Sequence, residues 1–222
     1  ETARSDNGAI ATVNGVLITL DRRVDLALFH RYLPVAYQSL NPRVFAEGST
    51  GSNEKGFYLG AKFYPARGWT IDAYFDVWKN PWLRFNVASP SVGREYLTKI
   101  QYSIKRKFDI YIQYKNETKA QNISESELLK KVGDQNKQQV RVHLAHKLNK
   151  HLELRNRFEW VFYRDASGQK SNGFMVFQDV LYKPIQIPVS FTARLAYFDT
   201  KDYSSRIYAF ENDLLYSFSI PP

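Results

Sequence analysis

The chain contains no cysteine and a single methionine, and nowhere does it approach the ~20 consecutive apolar residues that a transmembrane helix needs. The missing cysteines rule out a disulfide framework and suit a bacterial envelope protein. Without a long apolar run, any membrane crossing must use strands, because only helices and closed barrels satisfy their backbone groups in lipid. The chain starts at Glu1 with no initiator Met, charged n-region or apolar h-region, so no signal peptide is present to read and a mature or excised segment is expected. No HExxH, P-loop or GxSxG pattern occurs. The net charge of +9 is dispersed over strands and turns, with no basic helix or aromatic RNA-binding signature, so it points to charged strand faces and anionic headgroups rather than to nucleic acid.

What is abundant is aromatic: 15 Tyr and 15 Phe, set in stretches where apolar and polar side chains alternate. From Trp69 to Trp78, Trp69, Ile71, Ala73, Phe75 and Val77 share one face while Thr70, Asp72, Tyr74 and Asp76 share the other. Strands are predicted at Ala9 to Leu20, Val24 to Tyr32, Gly56 to Tyr64, Trp69 to Trp78, Tyr96 to Ile104, Phe108 to Tyr114, Val140 to Leu148, Leu152 to Tyr163, Phe174 to Tyr182, Val189 to Phe198 and Arg206 to Ile220. Tight turns at Asp21-Arg22, Pro65 to Gly68, Lys105 to Lys107, Asn149-Lys150 and around Pro184 and Pro188 alternate with long polar loops at Leu33 to Glu54, Lys79 to Gly93 and Glu117 to Lys137. Within the last loop, Ser124 to Lys131 reads as a short helix capped by Ser124.

Alternating short and long connections are how an outer-membrane barrel is threaded. The expected fold is therefore all-β, a transmembrane antiparallel up-and-down β-barrel of about eleven strands here, spanning the whole chain. Bacterial single-chain barrels have even counts, so further strands are expected before Glu1 or after Pro222. Charges in alternate positions are costly against hydrocarbon and cheap against water, which assigns the faces. Asp72, Asp76, Lys99, Asp109, Arg141, Glu153, Arg155, Arg157, Glu159, Arg194, Glu211 and Asp213 are expected to face a lumen. Tyr64 and Trp69 near a tight turn, and Trp78, Trp82, Trp160, Tyr163 and Tyr203 near the long loops, are expected to form two interface girdles.

No catalytic, cofactor or metal residue is expected. His143 and His146 have HxxH spacing, but residues three apart on a strand point to opposite faces and cannot chelate one ion. His143 beside strand serines is the opening for an outer-membrane hydrolase, and a soluble lipocalin-like or sandwich binding protein is the other alternative. The polar wall suits a pore, a plugged barrel or a scaffold.

Five segments resemble a family of Bacteroidota outer-membrane proteins that carry a periplasmic, competence-type helix-hairpin-helix domain ahead of a C-terminal barrel. They are Gly8 to Gly15, Asn53 to Gly60, Pro81 to Arg84, Gln178 to Pro184 and Arg206 to Ile220, in order along essentially the whole chain. The resemblance implies a barrel with further strands after the Tyr-Ser-Phe-Ser-Ile-Pro ending, a preceding periplasmic domain and no catalytic residues. The helix-hairpin-helix is absent from this sequence. The expected setting is the outer membrane of a Gram-negative bacterium, with the bilayer, lipopolysaccharide and an envelope complex as partners and transport or scaffolding as the role.

Overall fold

The computed structural model describes residues 1–39, 43–123 and 130–210. It is all-β: β1 Thr2–Arg4, β2 Ile10–Asp21, β3 Val24–Leu33, β4 Glu54–Phe63, β5 Trp69–Asn80, β6 Ser91–Ile104, β7 Phe108–Asn122, β8 Val132–Lys147, β9 Leu152–Arg164, β10 Lys170–Tyr182 and β11 Phe191–Thr200, with a 3₁₀ turn at Tyr203–Ser205. Among the described residues the 11 strands form one antiparallel sheet in which each pairs with its chain neighbours, with β1 and β11 at its two ends. No helix among the described residues is long and apolar enough to cross a membrane.

The pairing register turns the local alternation into two continuous surfaces. Directly opposed residues share a face. One row runs Val24, Phe63, Ile71, Ile100, Ile112, Val142, Phe158, Val176, Tyr197, from β3 to β11. One residue along each of these strands, on the opposite face, the row reads Asp25, Lys62, Asp72, Lys99, Gln113, Arg141, Glu159, Met175, Phe198. The first row is largely solvent-facing, with Ile112 at 53% exposure, whereas Trp78 and Arg31 on the second face are each 1% exposed. Over the middle strands the polar face is thus the more enclosed of the two, while toward the sheet edges it too is open, with Phe198 68% exposed.

Glycines at Gly56 and Gly93 make room on the polar face. A Cβ on Gly56 would collide with the Arg31 guanidinium, and one on Gly93 with the Trp78 indole. Each lies beside a large buried side chain that needs bare backbone next to it.

Several boundaries differ from the sequence expectation. The Glu117 to Lys137 segment is mostly strand: β7 continues to Asn122 and β8 begins at Val132. Here both faces are polar, with Asn116, Thr118 and Asn136 on one and Glu117, Lys119 and Lys137 on the other, so no hydrophobic period marks the strands. Side chains stitch the ladder instead, Asn136 donating to Asn116, Thr118 and the Glu117 carbonyl. Of the expected helix, residues 124–129 lie outside the described residues, and Lys130 and Lys131 are not helical. β1 carries no sequence signal, being only 3 residues long. The β9–β10 connection, residues 165–169, is shorter than the gap between the expected strands, which end at Tyr163 and resume at Phe174, and it is closed by Asp165 accepting from the Ser167 and Gln169 amides.

The expected final strand also changes. Arg206 to Phe210 is not strand, and residues 211–220, including Glu211 and Asp213, lie outside the described residues. After β11 the chain instead turns onto the polar face: buried Ser205 bonds Ser171, and Arg194 donates to the Phe210 carbonyl at 2.6 Å.

Candidate functional site

Every described residue expected to face a lumen lies on the same polar face. Asp72 opposes Lys99 and pairs with Lys62 at 3.8 Å. Lys99 stacks on Tyr111, and Asp109 accepts from Gln101. Arg141 grips Glu159 through two bonds of 2.7 and 2.9 Å, and Arg194 holds Asp179 likewise at 2.6 and 2.7 Å. Glu153 accepts from Arg155 at 2.7 Å and lies 3.6 Å from Lys147. Arg157 packs over the Phe177 ring.

The most buried charges, Arg31 and Glu54, are not among the residues expected to face a lumen, whereas their partner Asp76 is. Arg31 on β3 meets Glu54 at the start of β4 at 2.5 Å and chelates Asp76 on β5 at 2.9 and 3.1 Å. Glu54 also accepts from the Glu47 and Gly48 amides. Those amides belong to the β3–β4 connection, which therefore does not extend away from the sheet. It folds back over the polar face. Phe45 packs against Phe29 and Tyr58, both at 5.4 Å, and beneath it lies the Arg31 guanidinium. Glu47 then reaches Lys119 on β7 at 3.0 Å, crossing the face of the intervening strands.

At that crossing the carboxylate oxygens of Glu47, Glu95 and Glu117 lie within 4.8 Å of one another. Lys119 bonds Glu117 at 2.6 Å as well as Glu47, Lys115 bonds Glu95 at 2.9 Å, and the Tyr74 hydroxyl donates to Glu95. Two ammonium groups already pair with all three acids, so the group reads as an ion-pair knot rather than a cation cage.

The aromatic assignments divide. Trp69 belongs to the apolar face near the tight turns, 5.0 Å from Tyr102, and Trp160 to the same face between Phe158 and Phe162. Tyr64 sits at the β4–β5 turn, and Trp82 and Tyr203 are exposed in connections at the other end. Trp78 and Tyr163, however, are on the polar face: Trp78 is enclosed, and Tyr163 donates to Gln135 at 2.7 Å. Both sit at positions where the alternation already turns them inward.

His143 and His146 are on opposite faces, His143 opposite Arg157 and His146 against Phe108 at 5.9 Å. The His143 ring packs on Tyr111 at 5.1 Å, and among the described residues its Nδ1 has no hydrogen-bond partner and no carboxylate orients it as a general base would require. In the connections two carboxylates are shifted. Asp202 is held below its ordinary value by hydrogen bonds from Ser171 and from the Ser205 and Ser204 amides. Asp165 is raised by slight burial but brought below its ordinary value overall by the Ser167 hydroxyl and the amides of its turn.

No family model matches the chain, and no curated protein matches it in sequence.

Proposed function

We propose that this chain is a segment of a transmembrane β-barrel in the outer membrane of a Gram-negative bacterium, serving as the wall of a transport pore or as a scaffold in an envelope assembly. The observation that carries the reading is the unbroken apolar row from Val24 to Tyr197, displayed to the outside while charge is turned inward. A soluble sheet does the reverse, because its apolar face forms the core.

The vertical extent agrees. On β6 the outer face is Tyr96, Thr98, Ile100, Tyr102 and Ile104, a length close to the about 9–11 residues of a tilted transmembrane strand. Beyond it the outer row becomes Arg94, Thr118, Asn136, Arg164 and Lys170, suited to headgroups and lipopolysaccharide phosphates. Trp69 with Tyr102 at the tight-turn end and Trp160 with Phe162 toward the other form the interfacial aromatics. The inward β3–β4 connection narrows whatever passage the wall encloses. The resemblance to the Bacteroidota barrel family supports the same placement, with the remaining strands and a periplasmic domain supplied outside this segment.

Cysteine accessibility tests the faces. In the full-length protein reconstituted in vesicles, a charged maleimide is expected to label Arg155→Cys and not Phe158→Cys; the opposite pattern would invert the wall and overturn the reading. Planar-bilayer recording then separates the two roles, since conductance above background supports the pore and its absence the scaffold.

A further inference from the structure

Because the strands form a meander, the β2–β3, β4–β5, β6–β7, β8–β9 and β10–β11 connections all lie at one end of the sheet. That end carries charge of one sign. Arg22 and Arg23 fill the first connection, Arg67 lies in the second, Lys105 to Lys107 form the third, and Lys150 and Lys183 belong to the fourth and fifth. All of these cationic residues are exposed, and no Asp or Glu occurs in any of these connections. The connections at the opposite end are mixed, with Arg43, Lys201 and Arg206 set against Glu47, Asp165 and Asp202.

The strand pairing carries this charge to the edge of the polar face. Lys147, opposite Glu153 on that face, donates its amide to the Lys107 carbonyl at 2.8 Å. Lys183 follows Tyr182 of the apolar face, so alternation returns it to the polar side, where its amide meets the His151 carbonyl at 2.7 Å. Arg23 and Arg67 line an open recess of about 360 Å³ together with Tyr64, Thr70 and Ser103, the last two at polar-face positions. Further along the same face the cations are consumed in pairs, Arg31 with Glu54 and Asp76, Lys115 with Glu95, and Lys119 with Glu47 and Glu117. Among the described residues, no ion pair engages the cations of the tight connections. Arg106 moreover sits in left-handed backbone at φ 63°, a conformation that costs an L-residue roughly 1–2 kcal/mol and glycine almost nothing. The β6–β7 turn thus holds a cation where chain geometry alone favours glycine.

Neighbouring strands lie about 4.7–4.9 Å apart, so successive turns along this end stand about 10 Å from one another, close to the Debye length of about 10 Å at about 0.1 M salt. Their fields overlap into one positive rim. A cleft with charge of one sign beside low-dielectric walls concentrates counter-ions, and rings of Lys and Arg favour anions in pores. We propose that this rim makes the passage selective for anionic solutes, drawing them in at the tight-turn end and repelling cations. The proposal rests on the pore reading of the wall and names the charge class of what it carries. Selection is by the field of exposed groups, so it fades as salt screens the rim.

Reversal potentials of the full-length protein in planar bilayers, measured across a potassium chloride gradient, provide the test. Anion permeability several-fold above cation permeability is expected near about 0.1 M salt, falling toward parity near about 1 M, where the Debye length is about 3 Å. The triple variant Lys105→Gln, Arg106→Gly, Lys107→Gln removes charge where glycine suits the backbone, and it should shift the reversal potential toward zero. Lys201→Gln, at the opposite end, should leave it unchanged. An unselective or cation-selective pore, or an equal shift in Lys201→Gln, overturns the proposal while the pore reading stands; absence of conductance removes both. An unselective pore whose insertion into anionic bilayers, and not zwitterionic ones, drops in the triple variant would assign the rim to lipid headgroups instead.

Discussion

Arg31 answers two carboxylates at once, and all three side chains are buried. Taking away the cation leaves Glu54 and Asp76 enclosed without compensation, a change that typically costs about 3–5 kcal/mol. Arg31→Met is therefore expected to lower the urea midpoint for unfolding from lipid vesicles substantially. The triple variant Arg31→Met, Glu54→Leu, Asp76→Leu should recover most of that loss, because matched apolar replacement of a buried ion group is often near neutral. A triple variant as unstable as the single one would mean that the loop amides bound by Glu54, rather than the unpaired charges, dominate.

Among the elements, those with one apolar and one polar face were legible from the sequence. β5 starts at Trp69 and β9 at Leu152, as the alternation of their side chains predicts, and the charge-bearing face of each follows from the same pattern. Where both faces are wet the signal vanishes, which is why the far halves of β7 and β8 read as loop. The extension predicts slow amide hydrogen exchange through Lys115 to Ala120 and Asn136 to Val140, as slow as in the apolar halves; rapid exchange would show that the paired register there is not maintained. The inward turn of the β3–β4 connection was illegible for another reason. Its anchors are tertiary: Phe45 settles on rings from β3 and β4, and Glu47 bonds a lysine from β7. Nothing within residues 34–53 announces those partners. Arg157 poses the complementary case: its lumen-facing expectation came from alternation, but its lack of a carboxylate emerges only when the register shows which acid each arginine has taken.

For the whole molecule, pairing by chain neighbours alone makes a wall of low contact order, in which each hairpin depends on the two beside it. The bond from Glu47 to Lys119 is an exception, joining the β3–β4 connection to β7 over strands that lie between. Under tension applied to its ends, a simple meander peels away in hairpin-sized steps. A cross-tie changes the mechanics: β3 to β7 carry load together until the tie parts, then release their length at once. Single-molecule pulling from a bilayer should register that stretch as one long event, and Glu47→Ala should break it into shorter ones, making one glutamate of the folded-back connection the rivet of a five-strand panel.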